Sequence, residues 1–209
     1  MGLAHQPSMW DVAEQASLTP LAGRVVRHAL TRGAWVDHLP GWVEGSDEVL
    51  DVLLGDIGWR ADRRQMYDRE VDVPRLLRWY GRDEALPHPL LTAARDELNR
   101  HYHPELGEDF VTAGMCLYRN GGDSVAWHGD RIGRARSADT MVAIVSFGSA
   151  RPLALRPVGG GESVRFPLGH GDLVVMGGSC QRTWEHCIPK TTKAVGPRVS
   201  VQFRPRGVA

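Results

Sequence analysis

The chain has 209 residues, 42% hydrophobic and 24% charged, enough to bury one sizeable core without dividing into two domains. Lys plus Arg and Asp plus Glu balance at 25 each, so no global positive field singles out a polyanionic partner, and any basic face has to be local. Three cysteines, Cys116, Cys180 and Cys187, lack CxxC spacing, which argues against a disulfide framework or a four-thiolate zinc site and suits a reducing, cytoplasmic setting. The opening MGLAHQPSMW has neither the basic nor the apolar region of a leader. No later stretch approaches the ~20 apolar residues of a membrane span, so no membrane role is expected.

Helical patterns dominate up to about residue 108. Ser46 is placed to cap a helix whose first turn holds Asp47 and Glu48, with Leu50, Leu53, Leu54 and Ile57 at helical spacing and Gly58 just past its end. The segment 67–81 mixes aromatics, arginines and Pro74 without clear period and is expected to form strands and turns of a surface cover. Leu91, Ala94, Leu98 and Tyr102 line one face of a second helix, which Pro104 is expected to stop. From Phe110 onward the pattern changes to short β-branched runs divided by glycine and proline, roughly 110–119, 140–148, 151–156, 162–166, 171–176, 183–188 and 197–204. Turns fall at Gly121-Gly122-Asp123, Gly159-Gly160-Gly161 and Gly169-His170-Gly171-Asp172. The expectation is an α+β, mainly β fold in one domain over 1–209, with N-terminal helices and a lid over 1–108 and a sandwich or jelly-roll core over 109–209.

The chemistry centres on Trp127-His128-Gly129-Asp130. In an extended chain residues i and i+2 share a face, so His128 and Asp130 can grip one ion from a barrel mouth. His186, within Trp184-Glu185-His186, lies 58 positions later (186 − 128), far enough for the chain to return to that mouth on another strand. Two imidazoles and one carboxylate form a facial triad, which holds Fe(II) and leaves three positions open. Mn, Co or Ni are accepted by the same donors as surrogates. Downstream, the period of two in Arg198-Val199-Ser200-Val201-Gln202-Phe203-Arg204 puts Arg198, Ser200, Gln202 and Arg204 on one face. That face is either a solvated edge or a buried guanidinium site for a dicarboxylate, held by paired charge-assisted hydrogen bonds.

These segments carry a resemblance. LYRNGGDSVAWHGD at 117–130, GDLVVMGG at 171–178, WEHCIPK at 184–190 and PRVSVQFR at 197–204 resemble, in order, the motifs of AlkB-type Fe(II)- and 2-oxoglutarate-dependent dioxygenases. Pro74-Arg75 and Trp79-Tyr80-Gly81 are similar to the family's nucleotide-recognition region. The resemblance implies a double-stranded β-helix with a nucleotide-recognition lid, and Fe(II), 2-oxoglutarate and O2 as reactants. It makes His128, Asp130 and His186 the catalytic iron ligands, and Tyr118, Arg198, Ser200 and Arg204 the co-substrate residues. The chain departs from the pattern at Cys116 and Ser200, where the family usually carries asparagine, and at Ile132, where repair members carry an acid facing the base.

The activity implied is oxidative demethylation of N-alkylated nucleobases, releasing formaldehyde, succinate and CO2. DNA is favoured over RNA as substrate, and the monomer as functional unit. A base in a duplex is out of reach, so a flipped or single-stranded base must sit between flat groups, with His128 on one side and Tyr67, Trp79 or Tyr80 on the other. Arg131, Arg134 and Arg136 follow the metal aspartate and, with Arg69 and its neighbours Arg60, Arg63, Arg64 and Arg75, offer contacts to a phosphate backbone. His101-Tyr102-His103 sits at a helix end and His88 reads as a loop residue; neither forms a site. Two other function classes stay open: a dioxygenase of the same core acting on a small metabolite or protein side chain, and a non-catalytic binding module.

Overall fold

The computed structural model describes residues 15–55, 57–66, 69–130 and 134–208. Strands β1 (Ser17–Leu18), β2 (Val26–Ala29), β3 (Ala34–Leu39) and β4 (Val43–Glu44) precede helix α1 (Ser46–Leu54). Strands β5 (Arg60–Met66) and β6 (Arg69–Tyr80) then lead to helix α2 (Pro89–Leu106). The rest is β7 (Phe110–Tyr118), β8 (Val125–His128), β9 (Val142–Gly148), β10 (Arg151–Pro157), β11 (Val164–Leu168), β12 (Asp172–Gly178), the short α3 (Cys180–Thr183), β13 (Trp184–Ile188) and β14 (Arg198–Pro205).

A major sheet runs β2-β3-β12-β9-β14-β7-β6-β5 and a minor one β11-β10-β13-β8. All their pairings are antiparallel, and together they make the jelly roll. Strands from before and after residue 108 share the major sheet, because β3 pairs with β12 and β6 pairs with β7.

Two apolar cores follow from the alternation of side chains on the major sheet. Val199, Val201 and Phe203 of β14 pack with Val145 and Phe147 of β9 and with Leu91, Leu98 and Tyr102 of α2, outside the jelly roll. The opposite side chains of the sheet, including Tyr118, Val142, Ile144 and Val174, meet Leu153, Leu155 and Ile188 of the minor sheet inside it. Each fully buried Val, Phe or Leu contributes roughly 1.5–3 kcal/mol, so the outer face of β14 anchors that strand firmly. Its polar face, Arg198, Ser200, Gln202 and Arg204, is thereby turned into the interior. The strand lies between β9 and β7, which removes the solvated-edge alternative.

Several local expectations are corrected. Helices do not dominate the first 108 residues: among those described, six strands lie there with two α-helices. Strand β3 carries no alternating signal in Ala34-Trp35-Val36-Asp37 because it is buried on both faces. Ser46 does not cap α1; the cap is Gly45 in the left-handed region at φ 62, and Ser46 is the first helical residue. The helix ends at Leu54, where the Gly55 N–H bonds to Asp51 and Val52 carbonyls, so Ile57 and Gly58 lie beyond it. Pro104 does not stop α2. It forfeits one hydrogen bond in the last turn, and the helix closes three residues later on Gly107 at φ 78, whose N–H bonds to His103 O. His88 caps the start of α2, its Nδ1 accepting from Leu90 N at 3.1 Å, with Pro89 in the first turn.

Candidate active site

A cavity of about 1050 Å³ opens between the sheets, and the motifs at 117–130, 184–190 and 197–204 converge on it. His128 ends β8 and stands directly opposite His186 of β13 in the antiparallel register, with ring centroids 4.3 Å apart. Asp130 follows two residues after His128, its Oδ1 3.8 Å from His128 Nε2. One donor atom from each of His128, Asp130 and His186 lies within 4.8 Å of the other two, the arrangement a single ion needs.

The electrostatics suit a cation. His128 Nδ1 lies 2.9 Å from Ala126 O, a bond that calls for a proton on Nδ1 and leaves the Nε2 lone pair free to ligate. Burial, reinforced by His128, drives the His186 imidazole down to about 3, so this ligand is neutral at physiological pH. Burial works against ionisation of Asp130, yet its charged surroundings, Arg204 foremost, outweigh it and hold the carboxylate below its usual range. Since His186 is neutral, the standing cation is Arg204, whose Nη2 donates to Asp130 Oδ2 at 3.2 Å. Gln181 of α3 accepts from the Asp130 N–H at 3.3 Å.

Beside the triad lies a second, cationic compartment. Arg198 is 1% exposed, and Ser146 Oγ accepts from its Nε at 2.9 Å. Its Nη1 is buried without a partner, and Arg198 lines the cavity. An unpaired buried guanidinium nitrogen is costly, and a carboxylate in the cavity would satisfy it. Arg198 lies 5.2 Å over the ring of Tyr118, with which it is in register, and burial raises the Tyr118 hydroxyl so that it stays a protonated donor. Ser200, Cys116 and Gln202 complete this floor. The donor set and the unpartnered guanidinium therefore fit Fe(II) and 2-oxoglutarate.

The expected substrate residues divide. Trp79 is 44% exposed, lines the cavity and packs against Gly114, where a Cβ would come within 3.2 Å of its ring. Tyr80 points the other way, into the core beneath α2, because neighbours on β6 face opposite sides of the sheet; it is no base-facing residue. Arg136 is exposed on a 3-10 turn and does not line the cavity. Tyr67, Arg131 and Ile132 lie outside the described residues, as do the side chains of Arg63, Arg64, Arg69 and Arg134. Arg75, expected among the basic residues of the lid, lines the cavity and donates from Nη1 to Ser124 O at 3.1 Å. Trp127, to which no role was given, also lines it and lies under the guanidinium of Arg156 at 4.3 Å. Gln202 had a visible signal, since it shares the period-two face of Arg198. Ser146 had none.

Antiparallel jelly roll, facial triad and buried arginine define an iron oxygenase that takes a dicarboxylate co-substrate. Residues 44–204 match the family model described as the 2OG-Fe(II) oxygenase superfamily. Human alpha-ketoglutarate-dependent dioxygenase alkB homolog 3 is 34% identical over 198 residues, covering 80% of this chain and 66% of that protein. Human DNA oxidative demethylase ALKBH2 is 29% identical over 183 residues, covering 76% of this chain and 68% of that protein. A Pseudomonas putida prolyl-4-hydroxylase shares the fold at a TM-score of 0.55 and 18% identity, covering 82% of this chain and 93% of that one. The chain belongs to the AlkB family of the 2OG-Fe(II) oxygenase superfamily, a family of dioxygenases whose membership implies Fe(II), 2-oxoglutarate and O2. It spans 66% of the length of the human alkB homolog 3.

Proposed function

We propose that this chain is an oxidative demethylase of N-alkylated bases in nucleic acid, with DNA preferred over RNA, acting as a monomeric, single dioxygenase domain over residues 1–209. The observation that carries the reading is the meeting, in one cavity, of the His128-Asp130-His186 triad, the unpartnered Arg198 Nη1 and an exposed aromatic, Trp79. Relatives named alkB homolog 3 and DNA oxidative demethylase ALKBH2 support the substrate class.

His128, Asp130 and His186 would hold Fe(II), and Arg198, Tyr118, Ser200 and Arg204 would hold 2-oxoglutarate. When bound, the iron and co-substrate supply O2 activation coupled to oxidative decarboxylation of 2-oxoglutarate to succinate and CO2. One oxygen atom enters the N-methyl group, and the resulting hemiaminal releases formaldehyde and the unmodified base. The protein's part is positioning and exclusion of water. Asp130 stays ionised through Arg204, His186 stays neutral through burial, and Tyr118 keeps its proton to donate. Trp79 and the exposed edge of His128 offer flat surfaces at the cavity mouth for a flipped or single-stranded base. Arg60 and Arg75, which line the cavity, and the exposed Arg136 support contact with a phosphate backbone; Arg69, Arg131 and Arg134 belong to the same proposed set. Three unpaired thiols suit a cytoplasmic location.

The test is formaldehyde release, dependent on 2-oxoglutarate and Fe(II), from methylated single-stranded DNA, matched RNA and free nucleosides. Release from DNA above the other two supports the reading. Release confined to nucleosides, or none from any methylated base, overturns it in favour of a small-molecule or side-chain dioxygenase.

A further inference from the structure

Gln202 lies on β14 between Ser200 and Arg204, in register with Gly114 of β7 and Ile144 of β9, and its side chain lines the cavity. A carboxamide has an acceptor end and a donor end, and here both are engaged. Gln202 Oε1 accepts from Arg204 Nη2 at 2.6 Å. Gln202 Nε2 donates to Ser200 Oγ at 3.1 Å and faces Cys116 Sγ at 3.3 Å. The same Arg204 nitrogen reaches Asp130 Oδ2, while Arg204 Nε is buried without a partner. A long, rotamer-rich side chain with one contact to its carboxylate needs a second acceptor to stay there, and Gln202 Oε1 supplies it.

We propose that Gln202 is a positioning residue that holds Arg204 on Asp130, and that its amide nitrogen links this metal carboxylate to the co-substrate pocket. The link enters that pocket at Cys116 and Ser200, the two positions where the chain departs from the AlkB asparagines. Cysteine is a weak hydrogen-bonding group and serine a short one, so the donor their asparagine counterparts would bring comes instead from a longer side chain two positions along the same face of the strand. Gln202 packs no core: it is half-buried and faces the cavity, while Val201 and Phe203 carry the apolar packing. The inference rests on the metal and co-substrate assignment above.

The experiment is calorimetric titration of the full chain with Mn(II), and separately with 2-oxoglutarate in saturating Mn(II), for the parent, Gln202→Met, Arg204→Met, the double variant and Gln202→Glu. Residues behind metal ligands typically alter affinity about 10–100-fold, and a residue acting one step further back is expected at the lower end, about 5–10-fold weaker Mn(II) binding in Gln202→Met. The double variant should bind Mn(II) as Arg204→Met alone does, because Gln202 acts through Arg204. Gln202→Glu keeps the acceptor for Arg204 and loses the donor to Ser200, so Mn(II) affinity should stay within about twofold while 2-oxoglutarate binds about three- to tenfold more weakly, the size expected for a lost hydrogen bond between neutral groups. Unchanged Mn(II) affinity in Gln202→Met, or losses that add in the double variant, would overturn the proposal. Should Gln202→Met not fold, Gln202→Asn, one methylene too short for both contacts, is read by the same criteria. A parent that binds neither Mn(II) nor 2-oxoglutarate overturns the functional reading itself, a result distinct from failure of the Gln202 link.

Discussion

His186 lies directly across the antiparallel register from His128, yet the two imidazoles sit in opposite environments: His186 is 7% exposed, while the His128 side chain is 39% exposed. The buried one carries the pH dependence. Its folded-state value is near 3 against 6.5 unperturbed, so between these the unfolded chain binds a proton the folded chain refuses, and stability falls as pH falls. At pH 5 this amounts to about 2 kcal/mol, from ~1.4 kcal/mol per unit. His38, also lowered by burial, acts in the same direction. Asp130, depressed, contributes stability that is present above its unfolded value and lost as pH falls through its folded one, so it steepens only the acid end. Urea midpoints of the metal-free protein should drop from pH 7 to pH 5, with a shallower drop in His186→Gln. An identical slope in that variant would show that the His186 burial is not the cause. The same substitution should remove tight Mn(II) binding and turnover at pH 7.

Arg198 makes a second prediction. Its Nε is taken by Ser146, leaving the Nη side of the fork for a carboxylate. Each charge-assisted hydrogen bond contributes about 1.5–3 kcal/mol, so Arg198→Ala should raise the KM for 2-oxoglutarate at least tenfold with Mn(II) affinity little changed. Arg198→Lys should recover little, because an ammonium cannot bond to Ser146 and present a planar fork together. An unchanged co-substrate KM in Arg198→Ala would refute the assignment.

How much of this was readable beforehand depends on whether a residue's task is local. The triad was legible because His-x-Asp uses strand alternation and His186 sits in its own motif. The strands after residue 110 were legible because β-branched runs there are divided by glycine, as at Gly159-Gly160-Gly161. Strand β3 was not, since burial on both faces erases the period that a half-exposed strand shows. The polar face of β14 was visible as a pattern, but whether it met water or the interior depended on its place between β9 and β7. Ser146 and Gln202 take their roles from cross-strand register and side-chain reach, neither of which is written in the neighbouring residues. His88 looked like a loop residue because histidine is not a usual cap.

Gly114 offers a test of how closely Trp79 and Arg204 share one spot. A Cβ at this position would lie 2.9 Å from Arg204 Nη1 and 3.2 Å from two atoms of the Trp79 ring. Gly114→Ala must therefore push the arginine off Asp130, tilt the indole, or both. Overpacking of this kind costs about 1–3 kcal/mol, and here the strain falls on two functional groups. The expected result is a modest fall in thermal midpoint with a weaker grip on Mn(II) and altered Trp79 fluorescence. Wild-type fluorescence and Mn(II) affinity together would show that the neighbours give way without consequence.

Trp79 separates substrate binding from the metal site. It is the aromatic of β6 that faces the cavity, its ring 5.9 Å from the Arg204 guanidinium, and its exposed area has no counterpart in the Tyr80 beside it. Base stacking on an aromatic is worth about 1–3 kcal/mol by alanine substitution. Trp79→Ala should therefore weaken binding of a methylated single-stranded oligonucleotide by about 5- to 100-fold. Mn(II) and 2-oxoglutarate affinities should change far less, since Trp79 reaches this machinery through Arg204, which is held by its own hydrogen bonds to Asp130 and Gln202. Fluorescence anisotropy with a labelled oligonucleotide at low salt measures the first and calorimetry the others. Replacement by Phe, which keeps a flat face, should restore much of the affinity. If Trp79→Ala and Trp79→Phe bind the oligonucleotide as the parent does, the stacking surface lies elsewhere, and Trp127 on the opposite lip becomes the residue to test.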